Sequence, residues 1–424
     1  MYLTFFTQEL ARKKYRASYF LILTIQIFFI ISIQGRAGWV GFIAGLVFLL
    51  FKLQLIKLTC KVAFGISAIC IVLLVPILFL LKTGSSEGRL LIYKVSATLF
   101  QDHWLWGIGI GRFKTQYNLY QADYFTKKSI DDRAALLADN TIYAFNDLWQ
   151  LLIEIGAVRF AGVAALAIIA IKLVCKHYVI KPERRSLFYG SVAAIICILA
   201  ASLFSYPFHN FLLQAVFLIY VTTALFALKI KESFKQVGQF FLYMLRGFFP
   251  LVIIYLLVQE KTKMDGIIRS KQAFELSQLG YKNKSLKIYD SLFQAGSTDG
   301  ATMMAYAKQL YFVKDFEAAK RMIRYARMCH TDNNIYSVSA EIEEALKNSK
   351  GAERDYKTAL YMVPNRMRGR FNLFQFYLRN ADTTNAIFWG NSIVNMPIKV
   401  PSDHTASMRR QTVEALNRIR LILY

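Results

Sequence analysis

Two of the five histidines lie in short stretches beside apolar blocks, and histidine is the side chain best suited to accept a proton near neutrality. His103 lies in Gln101-Asp102-His103-Trp104-Leu105-Trp106 and His209 in Tyr206-Pro207-Phe208-His209-Asn210, each near a long apolar block. Imidazole titrates near neutrality and can take the proton of an attacking hydroxyl; the plain alternative for each is a solvated bystander. Glu154 closes the run Asn146-Asp147-Leu148-Trp149-Gln150-Leu151-Leu152-Ile153-Glu154. It is a second candidate proton acceptor, or a carboxylate that orients its neighbours. Asn146 either positions a substrate or caps the helix that it opens. Two arginines follow glycines: Arg36 in Gly35-Arg36-Ala37-Gly38-Trp39, and Arg89 in Gly88-Arg89-Leu90-Leu91. A guanidinium stays charged and pairs with phosphate oxygens through its planar fork. Otherwise each is an interfacial anchor that snorkels to the headgroups. Arg112 ends the run Gly107-Ile108-Gly109-Ile110-Gly111, a flexible turn with Trp104 and Trp106 at headgroup depth. A nucleotide loop is excluded there, since no strand precedes it in a βαβ unit and no Lys-Ser pair follows. The five cysteines (Cys60, Cys70, Cys175, Cys197, Cys329) have neither metal-ligand nor disulfide-framework spacing. Neither a metal nor a cofactor is expected.

The elements that must position these residues are membrane helices. Of the 424 residues 55% are hydrophobic and 19% charged, against about 25% charged in an average soluble domain. A span needs roughly 20 apolar residues. Seven stretches qualify, over 19–33, 37–51, 62–81, 160–175, 187–204, 211–228 and 240–258. The fourth is entered from about Leu151, and the seventh contains Arg246 and Pro250. An arginine at depth costs several kcal/mol unless it snorkels. Residues 1–16 do not read as a signal peptide, because the apolar run is broken and no small-residue cleavage site follows.

Charge sets the orientation. Basic residues cluster before the first span (Arg12, Lys13, Lys14, Arg16), between the second and third (Lys52, Lys57, Lys61), between the fourth and fifth (Lys176, Lys181, Arg184, Arg185), and after the sixth (Lys229, Lys231, Lys235). If the spans alternate, all these clusters share one side, which is the cytoplasmic one. The N-terminal segment 1–18 is then inside, the membrane domain covers 19–258, its long loop 82–153 is outside, and so is 259–424. The net charge of +25 would fit a nucleic-acid partner on a soluble chain. Here its distribution excludes one: both signs interleave after residue 259, and no RNA- or DNA-binding motif is present.

From residue 259 on, charged residues are common and the apolar pattern is helical. Self-similarity recurs at a spacing of 34 residues. Ala273 leads to Gly280-Tyr281, Ala307 to Lys314-Asp315, Glu341 to Asn348, and Gln375 to Asp382. Small residues at turns and crossings are what stacked helix–turn–helix units need. The stretch resembles degenerate tetratricopeptide repeats, against an irregular helical bundle. The expected fold is therefore all-α: a polytopic helical bundle followed by a soluble repeat domain.

Four stretches carry a further resemblance: Gly35-Arg36-Ala37-Gly38-Trp39 opening a short span, Gly88-Arg89 with the glycine turn after it, Asn146-Asp147-Leu148 through Glu154-Ile155-Gly156, and Ser202-Leu203-Phe204-Ser205-Tyr206-Pro207-Phe208. In this order they resemble the O-antigen ligase and polymerase superfamily of bacterial inner-membrane proteins, over about residues 19–228. The family's pattern has a histidine before the asparagine, where this chain has Phe145, and its members usually have more spans than seven. The resemblance implies transfer of a sugar chain from an undecaprenyl-diphosphate carrier to an acceptor hydroxyl at the periplasmic face. The acceptor would be lipid A-core, a growing glycan or a protein side chain. Arg89 and Arg36 would hold the departing diphosphate; His209 or His103 would stand in for the missing histidine, and Glu154 would accept a proton or orient its neighbours. Asn146 and Arg112 are the substrate-binding candidates. With Phe145 at the histidine position, a scaffold that recruits periplasmic proteins through 259–424 is the alternative. A transporter ranks last, because no inverted repeat or ionic pathway is visible.

Overall fold

The computed structural model describes residues 24, 35–52, 83–128, 133–231, 235–296, 299–398 and 401–423. In chain order its helices are α1 (Arg36–Lys52), α2 (Thr83–Asp102), α3 (Phe113–Thr126), α4 (Arg133–Leu137), α5 (Asp147–His177), α6 (Arg185–Ser202), α7 (Phe211–Phe226) and α8 (Lys235–Gln278). They continue as α9 (Lys282–Gln294), α10 (Gly300–Phe312), α11 (Phe316–Cys329), α12 (Asn333–Ala345), α13 (Ser349–Met362), α14 (Met367–Arg379), α15 (Thr383–Asn395) and α16 (Asp403–Leu423). Two three-residue strands, β1 (Tyr178–Ile180) and β2 (Leu228–Ile230), pair antiparallel with Val179 opposite Lys229. The chain is an all-α membrane protein. The expected first and third spans, 19–33 and 62–81, lie outside the described residues, Thr24 apart.

By packing, the chain divides into two compact units. One holds α1, Leu105–Gly107 and Tyr143–Lys261; the other holds Gly84–Trp104, Ile108–Ile142 and the chain from Thr262 onward.

α5, the stretch Pro182–Ser202 and the stretch Gly238–Gln278, whose residues from Thr262 on belong to the second unit, are each long and apolar enough to cross a membrane, and α7 is a shorter apolar helix. α1 packs antiparallel on α6 through Gly41 and Gly45. A Cβ at Gly41 would strike the Cys197 carbonyl, and one at Gly45 would strike Cys197 Sγ and the Ala193 carbonyl. Small residues one turn apart let backbones approach, which is how helices associate where burial from water supplies no drive. α5 starts at Asp147, earlier than the apolar run, because its break at Gly156 (φ 77°) kinks the helix without ending it.

Arg246, in the expected seventh span, is held at the end of α7. Its Nη2 donates to the Leu225 and Leu228 carbonyls, both at 3.0 Å, and its guanidinium lies over the Phe226 ring at 5.0 Å. Arg184 Nη1 donates to the Phe226 carbonyl at 3.0 Å. Cations at the C-terminus of α7 meet the negative end of the helix and its unpaired carbonyls. The same end carries the β1–β2 ribbon, with Lys181, Lys229 and Lys231. The opposite end carries the starts of α1 and α5 and the turn 203–210.

In the second unit, the C-terminal helices alternate with a fixed turn. Gly280, Lys314, Lys347 and Ala381 all take positive φ (86°, 66°, 60°, 54°); their separations are 314 − 280 = 34, 347 − 314 = 33 and 381 − 347 = 34. After the last three comes a polar cap: Asp315, Asn348 and Asp382 accept from the N–H groups of Ala318, Gly351 and Asn385. A left-handed residue ends one helix and a side-chain oxygen starts the next. Ala307, Ala319 and Ala326 in one core and Ala340, Ala352 and Ala386 in the next are buried where helices cross.

α3 packs on α11 and α13 of the same unit. Asn118 Nδ2 donates to the carbonyls of Thr331 (2.6 Å) and Thr141 (3.2 Å), and Gln121 Nε2 donates to those of Met362 (2.5 Å) and Asp139 (3.1 Å). Asn365 Nδ2 donates to the Leu136 and Ala138 carbonyls.

Candidate functional site

A polar stripe runs along the first two turns of α5. Asp147, Gln150 and Glu154 are three and four residues apart, so they share one face, and all three are buried. Asn146 starts this helix: its Oδ1 accepts the Trp149 N–H at 3.0 Å. The capping reading of Asn146 is the one the geometry realises.

The stripe meets the turn after α6. Asp147 Oδ2 accepts the Phe208 N–H at 3.0 Å, and Asp147 Oδ1 lies 2.9 Å from His209 Nδ1. Gln150 Nε2 lies 3.0 Å from His209 Nε2 and donates to Glu154 Oε1 at 3.1 Å, while Gln150 Oε1 accepts the Ala144 N–H at 3.0 Å. These contacts fix one consistent proton assignment. Gln150 spends its oxygen on Ala144 and both amide protons on Glu154 and His209. His209 is then a neutral imidazole that donates Nδ1–H to Asp147 and carries its lone pair on Nε2. The His209 side chain is 30% exposed and that of Asp147 6%, so the imidazole sits at the surface of the site with its carboxylate behind it.

Aromatic rings fix the surroundings. Tyr143 stacks on Tyr206 at 4.5 Å and tilts over His209 at 4.7 Å; Phe145 meets Tyr206 edge-on at 5.2 Å. Burial, and then the neighbouring Tyr206, pushes the Tyr143 hydroxyl above its ordinary pKa. Phe145 takes a left-handed backbone (φ 55°) just before the cap.

The break in α5 has a purpose-built plug. The Val158 N–H, released at Gly156, donates to the Leu105 carbonyl at 3.3 Å, and Arg159 Nη1 donates to the Trp106 carbonyl at 3.0 Å. Gly107 and Gly156 touch backbone to backbone, and a Cβ on either would collide with the other's chain. The glycine run thus takes defined positive-φ turns at Gly107, Gly109 and Gly111, and its first member is required by packing against α5.

The candidate residues divide between the units. His209, Glu154 and Asn146 come together in the first. Arg36 opens α1 at the same end of that unit, because α1 runs antiparallel to α6 and its start lies level with the end of α6. Arg89, on α2, and Arg112, at the N-cap of α3, belong to the second unit. His103 is exposed there and lies 3.5 Å from the Tyr120 hydroxyl. Asp147 and Gln150 were missed as functional candidates. Their signal is the 147–150–154 polar stripe on an otherwise apolar helix. Among the described residues no group of His, Cys, Asp and Glu has metal-binding geometry.

Residues 20–164 match the O-antigen ligase family. The resemblance read from the sequence is borne out over that stretch, which contains Arg36, Arg89, Arg112, Asn146, Asp147, Gln150 and Glu154. His209 and the C-terminal helix pairs lie beyond it. No curated protein matches the chain. The O-antigen ligase match supports, in general terms, glycan transfer of the ligase and polymerase type at a bacterial membrane.

Proposed function

We propose that this chain is a membrane glycosyltransferase that moves a glycan from an undecaprenyl-diphosphate carrier to an acceptor hydroxyl at the periplasmic face, with His209 as general base. The Asp147–His209 contact carries the proposal. A buried carboxylate behind Nδ1 holds the tautomer in which Nε2 can take a proton and stabilises the imidazolium that forms, the same logic as in hydrolase triads. The acceptor hydroxyl takes the place of the Gln150 amide at Nε2. Its oxygen attacks the anomeric carbon, its proton passes to Nε2, and the carbon–oxygen bond to the diphosphate breaks, with the electron pair leaving on undecaprenyl diphosphate. Arg36 offsets the charge of that leaving group; the same role for Arg89 rests on the sequence resemblance. The donor is already activated, so the step consumes no nucleotide, and no metal is assigned. Glu154 acts indirectly, by orienting Gln150.

Purified chain with a lipid-linked donor tests this. His209→Ala is expected to reduce transfer about 10²–10⁴-fold, and Asp147→Asn to reduce kcat with little change in KM. Full transfer in both variants overturns the base assignment. A ladder of surface glycans from a deletion strain separates the acceptors: loss of long chains fits a ligase and shortened chains a polymerase. An unchanged ladder points to the scaffold that recruits periplasmic proteins.

A further inference from the structure

We propose that the inner face of the C-terminal helix pairs is a binding site for a few sugar units of the glycan, distinct from the residues that perform transfer. The proposal rests on the glycan-transfer reading for the identity of its ligand. The first helices of successive pairs, α10, α12 and α14, present equivalent positions to one cavity. Glu341 and Gln375 are 375 − 341 = 34 residues apart, and Tyr311 and Glu344 are 344 − 311 = 33 apart. With Phe371 and Asn372 they line a cavity of about 680 Å³, within the range that holds small ligands.

The cavity has one satisfied wall and one with unused hydrogen-bonding capacity. Glu344 is held bidentately by Arg379 (Nε to Oε1 2.6 Å, Nη2 to Oε2 2.8 Å) and accepts the Tyr356 hydroxyl at 3.2 Å. Among the described residues, the side chains of Glu341, Asn372 and Gln375 make no hydrogen bond to protein. Burial pushes the Glu341 carboxyl above its ordinary pKa, against the pull of Lys308, Arg368 and Arg379. These groups are open to water, and the hydroxyls of a polar ligand can take the place of that water.

The group types select the ligand. A sugar ring offers adjacent hydroxyls, each both donor and acceptor, above an apolar C–H face. Planar carboxylate and amide groups bind such hydroxyl pairs, and the half-buried rings of Tyr311 and Phe371 supply apolar cover. A peptide seated here would need apolar pockets for its side chains; this lining offers amides, carboxylates, the Arg379 guanidinium and the rings of Tyr311, Tyr356 and Phe371. Equivalent positions repeated along a stack also match a ligand that is itself a repeating chain.

The test uses the full chain in detergent micelles and the host cell's own surface polysaccharide, released by mild acid and fractionated to short oligosaccharides. Saturation-transfer NMR and calorimetry read binding to wild type and to the Asn372→Leu/Gln375→Leu double variant. Both positions are only partly buried on α14, and an unchanged circular dichroism melt verifies the fold. Binding to wild type that weakens about tenfold or more in the double variant, with Tyr311→Leu weakening it independently, is the expected result. No binding to wild type overturns the proposal, as does equal binding to both proteins, or a peptide-library hit that occupies the cavity while the oligosaccharide fails to compete. Transfer is assayed separately on the same proteins. Oligosaccharide binding without any transfer leaves this site standing and removes the transferase reading; transfer with no oligosaccharide bound here does the reverse.

Discussion

Asp147 governs what His209 is able to do. With Asp147 accepting from Nδ1, the imidazole lone pair is on Nε2, facing the Gln150 amide, and that is the one direction in which it can take a proton. Phe145, at the family's histidine position, is packed edge-on against Tyr206 and contributes no base. Phe145→His is therefore expected to change transfer by no more than a few-fold. A large gain in the Phe145→His enzyme would show that His209 is not the base. For the leaving group, Arg89→Ala is expected to abolish transfer while the protein still accumulates in the membrane. Arg89→Lys should recover little, because an ammonium cannot reproduce the fork. Full transfer by Arg89→Ala would remove Arg89 from the diphosphate site. His209, Glu154 and Asn146 were legible because their types stand out beside apolar blocks. Asp147 and Gln150 were less so: each is ordinary alone, and its role comes from a turn sixty residues away in sequence, which no local pattern encodes.

At the scale of the element, repetition was readable where a physical rule repeats. A left-handed residue followed by a capping Asp or Asn recurs at Lys314-Asp315, Lys347-Asn348 and Ala381-Asp382, so the 34-residue spacing marked helix pairs correctly. The break in α5 was not readable, since Gly156 looks like any helix end until Leu105 and Gly107 are seen to fill the gap. The caps also give a pH-dependent prediction. Asp332 caps α12, its Oδ1 accepting the Ile335 N–H at 2.7 Å, and lies 3.5 Å from His330 Nε2. Burial by itself raises this carboxyl, but the His330 contact and the N–H groups of Ile335 and Asn334 outweigh it, so its pKa is lowered. A depressed folded-state pKa gives stability that is present above the unfolded value, about 3.9, and is lost as pH falls through the folded value. Asp332→Ala is expected to cost about 1 kcal/mol at neutral pH, and the gap to wild type should begin to narrow below about pH 4 and close only once pH has fallen below the lowered folded value. Thermal unfolding followed by circular dichroism at both pH values checks this; a gap that persists in acid would mean that the cap, not the charge, supplies the whole effect.

At the scale of the whole molecule, the apolar helices α5, α6, α7 and α8 were legible because apolar length is a one-dimensional signal. The association of the loop helix α3 with the C-terminal helix pairs was not, because it depends on carbonyls of Thr331 and Met362 that lie more than two hundred residues from Asn118 and Gln121. That association constrains topology. Segments 113–142 and 262–423 share one compact unit with polar hydrogen bonds across it, so they require the same aqueous compartment. The expectation from the basic clusters is that the loop lies outside the cytoplasm. On that expectation the C-terminal helices lie outside as well, and the chain crosses once more after α7. α8 is long and apolar enough for that crossing, and Arg246, the residue that argued against it, is satisfied by the carbonyls that end α7. Alkaline phosphatase, which folds actively only outside the cytoplasm, is therefore expected to be active when fused after Tyr424 and inactive when fused in the basic link between α7 and α8. Arg246→Glu should lower the activity of the C-terminal fusion, because it places an anion against unpaired carbonyls at the start of the crossing. A well-expressed but inactive fusion after Tyr424 would place loop and repeats together in the cytoplasm, and with them it would overturn the periplasmic face assigned to transfer.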